Sequence, residues 1–351
     1  MAVEEDEDGS EKAVVQYVNF NQDAGCFAYS TSVGFRIYSC DPLKQTLRRD
    51  LDGGVGIVEM VFRSNILGLV GAAARNKVII WDDDQSRCIG ELFFRSEVRA
   101  VRLRRDAVVA VLEHKVHVHS LSDLKPLHEV ETFDNPRGVC AISPASTMFV
   151  LACPGTMSGG EVRLELYSLG KTLFVQAHES PLACLALSQD GRLLATASVK
   201  GTIVRIFDTN DGTKLHEFRR GAERAEIFSL ALSVNCHWLA VSSDKCTVHV
   251  FNLVRSKFEH KPRRRLPRLS ASSIFSLAAN SSMVQGVLPS YLKSDWSFAQ
   301  FRLPADSRAI VAFGAAKNTV IIICGDGSYY RCAYDADRGG DMVQKEFAKF
   351  T

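Results

Sequence analysis

The sequence predicts an all-β ring, a seven-bladed beta-propeller with four-stranded WD-type blades. Short runs rich in Val, Ile, Phe and Tyr recur, each followed by a turn cluster: GFRIYSCD from Gly34, NKVIIWDD from Asn76, HKVHVHSL from His114, VRLELYSL from Val162, GTIVRIFDT from Gly201 and CTVHVFNL from Cys246. Taken as equivalent, Tyr38, Trp81, His119, Tyr167, Phe207 and Phe251 are separated by 43, 38, 48, 40 and 44 residues. That is the period of a propeller blade, about 40 to 45 residues. A further unit near Ala309 to Asp335 brings the count to seven, which fits within the 351 residues.

Within one unit the elements can be placed in order. PLACLALSQDGRLLATASVKGTIVRIFD contains a strand from Ala183 to Leu187, a turn at Gln189-Asp190-Gly191 and a strand from Leu193 to Thr196. A second turn at Lys200-Gly201 and a strand from Ile203 to Phe207 follow. Alternating apolar residues with Asp-Gly and Lys-Gly turns indicate consecutive antiparallel hairpins. Closing the ring hides sheet edges that an open array would expose. A chain longer than one ordinary core is therefore expected as a single ring over residues 13–351.

Composition narrows the function classes. With 46% hydrophobic and 23% charged residues, there is enough apolar side chain for a large core. The formal charge of +2 is too small for nucleic-acid binding by bulk charge. The longest apolar runs, such as Ala107 to Leu112 and Val320 to Cys324, fall far short of the roughly 20 residues a spanning helix needs. Glu4, Glu5, Asp6, Glu7 and Asp8 are acidic where a presequence would be basic, so a cytoplasmic location is expected. Ten cysteines without a CxxC suit reduced, mostly buried thiols better than disulfides or a zinc site.

Two segments depart from the repeat. Residues 1–12 are polar and expected to be disordered. The other is a long blade-six loop at about 254–296. Its first part, RSKFEHKPRRRLPR, carries seven cations, Arg263, Arg264 and Arg265 among them, against Glu259 alone, a net +6 without His260. Its second part offers Ile274, Phe275 and Leu277. A basic run beside insertable apolar side chains suits attraction to an anionic lipid surface followed by shallow burial. A solvated loop is the other reading.

The strongest local signal is HEFRRGAERAEIFSLALS, at the junction of the fifth and sixth units. Arg219 and Arg220 end a strand, where successive side chains point to opposite faces and can serve two neighbouring hollows. A planar guanidinium binds phosphate oxygens bidentately and stays charged at physiological pH. Gly221 allows a tight turn or a close approach. As a bare dipeptide the pair also suits ordinary solvated surface.

FRRG at Phe218 to Gly221, with SVKGTIVRIFDT before it and SSDKCTVHVFNL after it, resembles the PROPPIN family. Further matches are FNQDAGCFAYSTSVGFRIY from Phe20, GGVGIVEMVFRSNILGLVG from Gly53, VRAVRLRRDAVVAVL from Val98, PGT at Pro154, AHESPLACLALSQDG from Ala177 and LPSYLKSDWSFAQFRLP from Leu288. These span nearly the whole chain. The resemblance implies a seven-bladed propeller that binds phosphoinositides, phosphatidylinositol 3-phosphate and the 3,5-bisphosphate, and acts in autophagy. It implies two headgroup pockets on the rim that share the arginine pair. By position, the first would use His178, Thr196, Ser198, Gly201, Thr202, Arg205 and Arg219. The second would use Arg220, Ser243, Lys245, Thr247 and His249. His178 and His249 have a structural hydrogen-bonding role as the alternative. Where Cys246 stands the family often has Gly.

The resemblance also implies a membrane-inserting loop in blade six, and peripheral attachment to preautophagosomal, endosomal or vacuolar membranes. Asn21 and Asp23 match positions at which some members contact a bridge-like lipid-transfer protein of autophagy. Arg104 and Arg105 match a turn that meets the conjugation scaffold in others. An ordinary hairpin turn is the alternative for both.

No enzyme signature is found: GxSxG, GxxxxGK[ST] and HExxH are absent. His117 and His119 share a strand face, but no third ligand follows at usable spacing, so neither metal nor cofactor is expected. The acidic clusters Asp82-Asp83-Asp84 and Asp335-Ala336-Asp337 read as turns at blade ends. The competing function is a generic WD-repeat interaction scaffold that presents its loops only to proteins and binds no lipid.

Overall fold

The computed structural model describes residues 15–254 and 295–351. Seven sheets follow one another in chain order. Blade one is β1 (Val15–Phe20), β2 (Cys26–Thr31), β3 (Gly34–Cys40) and β4 (Leu43–Asp50). Blade two is β5 (Val55–Met60), β6 (Ile66–Gly71), β7 (Lys77–Asp82) and β8 (Arg87–Phe93). Blade three is β9 (Ala100–Leu103), β10 (Ala107–Val111), β11 (Lys115–Ser120) and β12 (Pro126–Glu131). Blade four is β13 (Ala141–Ile142), β14 (Val150–Pro154), β15 (Glu161–Leu166) and β16 (Lys171–Gln176). Among the described residues the one helical turn is a 3-10 turn at Tyr167–Leu169.

Blade five is β17 (Leu182–Leu187), β18 (Leu193–Ser198), β19 (Ile203–Asp208) and β20 (Lys214–Arg219). Blade six is β21 (Ile227–Leu232), β22 (Trp238–Ser243), β23 (Thr247–Asn252) and, after the long insertion, β25 (Ala299–Arg302). Just before β25, the two-residue β24 (Asp295–Trp296) runs parallel to the end of β20. Blade seven is β26 (Ala309–Phe313), β27 (Thr319–Cys324), β28 (Ser328–Ala333) and β30 (Val343–Lys349), while β29 (Gly340–Asp341) adds to the edge of blade six. Each blade is an antiparallel meander, as the hairpin spacing predicts.

Period-two patterning explains how these sheets make a ring. Each sheet is apolar on both faces, and seven hydrophobic clusters lie one between each pair of neighbouring blades. Between blades five and six, for example, Val204, Ile206 and Phe218 pack on Leu239, Val241 and Phe251. Among the described residues no strand is exchanged to close the ring. Phe27 and Tyr29 of blade one pack on Ile321, Ile323 and Tyr329 of blade seven. Tyr29 and Tyr38 donate to the Phe350 carbonyl at 3.3 and 3.1 Å, and Tyr329 donates to that of Cys40 at 2.9 Å. These bonds satisfy polar groups that burial would otherwise leave costly.

The first strands line the central channel, and one end of it is stoppered by Gln22. Its Nε2 donates to the carbonyls of Met60 (2.6 Å) and Leu103 (2.9 Å), and its Oε1 accepts from Phe62 N–H at 2.6 Å. Gln189 of blade five donates to the Gln22 carbonyl. Two of the residues expected at partner contacts are buried in this geometry. Asn21 is buried, donating to the Phe62 carbonyl and accepting from Cys26 N–H. Arg104 is buried too, bonded to Asp106 and to the carbonyls of Ser143, Ala145 and Ser146. Both side chains tie neighbouring blades together. Asp23 and Arg105 are exposed.

All ten cysteines are free thiols, with Cys40, Cys140, Cys153, Cys324 and Cys332 buried and Cys88 exposed. His117 and His119 lie 6.3 Å apart by ring centroid, packed against Phe94. Asp335 accepts from the N–H groups of Asp337 and Arg338, the turn role assigned to it.

Candidate functional site

Strand β20 divides the site. Register pairs Thr196 with Arg205 and Arg205 with Glu217, so these three side chains share one face of blade five. Alternation along β20 adds Arg219 to that face. Phe218 points the other way, into the cluster shared with blade six, and Arg220 follows it. The two arginines therefore diverge to opposite sides of one strand end, and both are buried.

On the first side His178 is buried, and its Nε2 shares a 2.9 Å hydrogen bond with Thr196 Oγ1. Burial, and then the Arg205 charge, push the His178 imidazole down to about 4, so it is neutral at physiological pH. Arg205 Nε donates to Glu217 Oε2 at 2.9 Å, and Nη1 to the Ala177 carbonyl at 2.6 Å. Lys214 also reaches Glu217, at 3.3 Å. Burial raises the Glu217 pKa, but hydrogen bonds and charge from Arg205 and Lys214 outweigh it and hold this carboxyl below its ordinary range. Ser198, the last residue of β18, is buried at the same end of the blade.

On the second side no carboxylate among the described residues hydrogen-bonds Arg220. Its Nε donates to the Gly201 carbonyl at 2.9 Å and its Nη2 to the Glu223 carbonyl at 2.5 Å. Its backbone N–H donates to the Thr202 carbonyl at 3.0 Å. Gly201 and Thr202, which the family resemblance groups with the first hollow, therefore also brace Arg220. Gly201 has φ +63, and a Cβ there would collide with the Ala225 carbonyl, so the turn that supports Arg220 requires glycine. Burial pushes the Arg220 guanidinium below its ordinary value, against the opposing charges of Asp244 and Glu223.

Phe251 packs on Phe218 at 5.1 Å between centroids, so the Thr247, His249, Phe251 face of β23 looks toward blade five. His249 is buried, and its Nδ1 has no hydrogen-bond partner among the described residues. Burial, and then the Arg220 charge, push it down to about 4. Lys245 N–H donates to Ser243 Oγ at 3.4 Å, and Thr247 Oγ1 donates to the Lys245 carbonyl at 3.1 Å. Lys245 is exposed and pairs with Asp244 at 3.3 Å. A cavity of about 450 Å³ opens here, lined by Lys245, Asp244, Arg224, Glu226, Arg137 and Val199. Cys246 occupies the left-handed region at φ +51, the conformation glycine takes without penalty.

The structure thus brings Thr196, Arg205 and His178 together, and Arg220 beside His249. Gly221 follows the pair and is half-buried. Glu217 was missed in the sequence, although its position two residues before Arg219 puts it on the same strand face. The pairing of Trp296 with Arg219 through β24 was missed as well. Arg263, Arg264, Arg265, Ile274, Phe275 and Leu277 lie outside the described residues. Among the described residues no helix is long and apolar enough to cross a membrane, and no cluster of three or more His, Cys, Asp or Glu could hold a metal ion.

Chemically, each side offers a guanidinium, hydroxyls and a neutral imidazole, a donor set that suits phosphate and sugar oxygens. A protein-family model described as PROPPIN matches residues 14–348. Autophagy-related protein 18e of Arabidopsis thaliana is 42% identical over 342 residues, covering 95% of this chain and 87% of that protein. Autophagy-related protein 18 of Dictyostelium discoideum is 30% identical over 347 residues, covering 95% and 93%. Among solved structures, Kluyveromyces lactis Hsv2 with complete loop 6CD superposes with TM-score 0.77 at 21% identity, covering 97% of this chain and 100% of that one. A complex of KlAtg21 with the coiled coil of AgAtg16 gives 0.75 at 23% identity, covering 96% and 100%.

Proposed function

The chain belongs to the PROPPIN family, and from that premise we propose that it is a non-catalytic effector that reads phosphatidylinositol 3-phosphate and phosphatidylinositol 3,5-bisphosphate on membranes. The observation that carries the reading is the divergence of Arg219 and Arg220 across β20, with a buried neutral histidine on each side. One headgroup enters beside Arg219, Arg205, His178, Thr196 and Ser198. Another enters beside Arg220, His249, Ser243, Lys245 and Thr247, where the His249 Nδ1 is open to a donor or acceptor from the ligand.

The basic and apolar residues of the blade-six insertion, Arg263 to Arg265 with Ile274, Phe275 and Leu277, add a third membrane contact. Three weak contacts on one rigid ring multiply through effective concentration. The protein is cytoplasmic and becomes peripheral on preautophagosomal, endosomal or vacuolar membranes. There it recruits the autophagy lipid-transfer protein or the conjugation scaffold for autophagosome assembly. Asp23 and Arg105 are the exposed candidates for those contacts, and one solved relative is a complex with a coiled coil.

Liposome flotation across all phosphoinositides tests the proposal. Arg219→Thr with Arg220→Thr is expected to abolish flotation with the 3-phosphorylated lipids while circular dichroism remains that of the parent. Flotation that is absent in the parent, or unaffected by the arginine pair, identifies a protein-only scaffold instead.

A further inference from the structure

A cavity of about 730 Å³, within the range of small-ligand sites, opens at the end of the channel opposite Gln22. The beginnings of the inner strands frame it: β1, β5, the residues just before β9, and β26 with the residue before it. Its wall is apolar, with Val18, Ile57, Val70 and Ile310, and no aspartate or glutamate lines it. Arg75, Arg99, Arg137 and Arg308 bring four guanidiniums to the same hollow. Two of them are already engaged, Arg99 by Glu97 and Glu113, and Arg137 by Glu226. The other two are exposed and differently held. Arg75 donates to the Ala72 carbonyl at 3.2 Å, and Arg308 lies over the Phe228 ring at 5.7 Å. Neither pairs with a carboxylate among the described residues.

These two open cations come from different blades. Arg75 lies between β6 and β7 of blade two, and Arg308 immediately precedes β26 of blade seven. Blade one stands between those blades, and its Val15 to Val18 form the intervening wall. An occupant that reaches both guanidiniums therefore crosses the hollow over the start of β1. Inorganic phosphate would use the cations and leave the apolar wall in water, whereas a neutral apolar molecule would bury the wall and leave the cations without a partner. A molecule that satisfies both has an apolar body and more than one phosphate. We propose that this channel mouth binds an organic polyanion of nucleotide size, its aromatic body against Val18, Ile57 and Val70 and its phosphates on Arg75 and Arg308. None of these residues belongs to the headgroup hollows, so the inference does not depend on the lipid reading.

The test titrates the full-length chain with trinitrophenyl-ATP, whose emission rises in an apolar site, at physiological ionic strength. The parent is expected to show saturable binding that ATP displaces, with tripolyphosphate competing about tenfold more weakly because it has no body to bury. Arg75→Ser with Arg308→Ser should weaken binding by about thirtyfold while circular dichroism remains that of the parent, whereas Arg75→Lys with Arg308→Lys should keep most of it. Arg219→Thr with Arg220→Thr should leave it unchanged. Absence of saturable binding to the parent overturns the proposal, as does binding that survives the serine changes. Equal competition by tripolyphosphate overturns it too, and so does loss of binding in the Arg219→Thr, Arg220→Thr chain, which would put the nucleotide in the headgroup hollows.

Discussion

The two sides of β20 present similar side chains in different electrostatic states. On the first, Arg205 is already engaged by Glu217 at 2.9 Å, and His178 is satisfied by Thr196. On the second, Arg220 is held by two backbone carbonyls, and the His249 Nδ1 has no partner among the described residues. A carbonyl orients a guanidinium without cancelling its charge, whereas a carboxylate does both. In the proposed reading an entering phosphate must compete with Glu217 on one side, but on the other meets a pre-oriented cation whose hydrogen bonds go to carbonyls, with Asp244 and Glu223 acting on it only as neighbouring charges. Two pockets with matching residue lists are therefore expected to contribute unequally.

The largest expected effect concerns what the sides share. Both histidines have depressed values near 4 in the folded ring, against about 6.5 when unfolded. The unfolded chain binds more protons between those values, so the stability contribution is fully present above about pH 6.5 and is lost as pH falls toward 4. A pKa held that far below its unfolded value corresponds to about 3 kcal/mol for each histidine. Thermal melts from pH 7 to 4 should show a steep fall that His178→Gln and His249→Gln each make shallower. Equal slopes in all three proteins would mean that neither imidazole is held neutral by its surroundings.

Next in size is the asymmetry itself. Arg220→Thr should weaken binding to vesicles containing phosphatidylinositol 3-phosphate by about thirtyfold, the loss of one charge-assisted contact of about 2 kcal/mol. Arg205→Thr should cost less than about fivefold, because Glu217 already occupies that guanidinium. Reversal of that order breaks the comparison. The smallest effect should come from Glu217→Gln in an Arg220→Thr background. It keeps an acceptor for Arg205 and removes the competing charge, so vesicle binding should recover by about fivefold, or about 1 kcal/mol. A further loss of binding would show instead that the carboxylate positions Arg205 for the ligand.

How much could be seen in advance follows from the range of each interaction. The blade repeat and hairpin turns are local in sequence, and the structure extends them by one or two residues, as with β18 running to Ser198 instead of Thr196. The divergence of Arg219 and Arg220 is also local, since it needs only strand alternation. Burial of Asn21 and Arg104 was invisible, because it depends on carbonyls that the ring brings from 41 and 39 to 42 positions away. The same holds for the bond that the Gly201 carbonyl accepts from Arg220, 19 residues downstream. Glu217 was legible in principle from its spacing to Arg219, but its bond to Arg205 depends on the register of β19 and β20.

The proposed pair of hollows, one on each side of a single strand, is the feature from which the lipid reading and the asymmetry both follow. Calorimetric titration of the soluble headgroup inositol 1,3-bisphosphate separates that feature from membrane avidity. The prediction is a stoichiometry of two for the parent, with the remaining single site in Arg220→Thr lost when Arg219→Thr is added. A stoichiometry of one in the parent, or two sites that both persist in Arg220→Thr, would contradict the division of the site across β20.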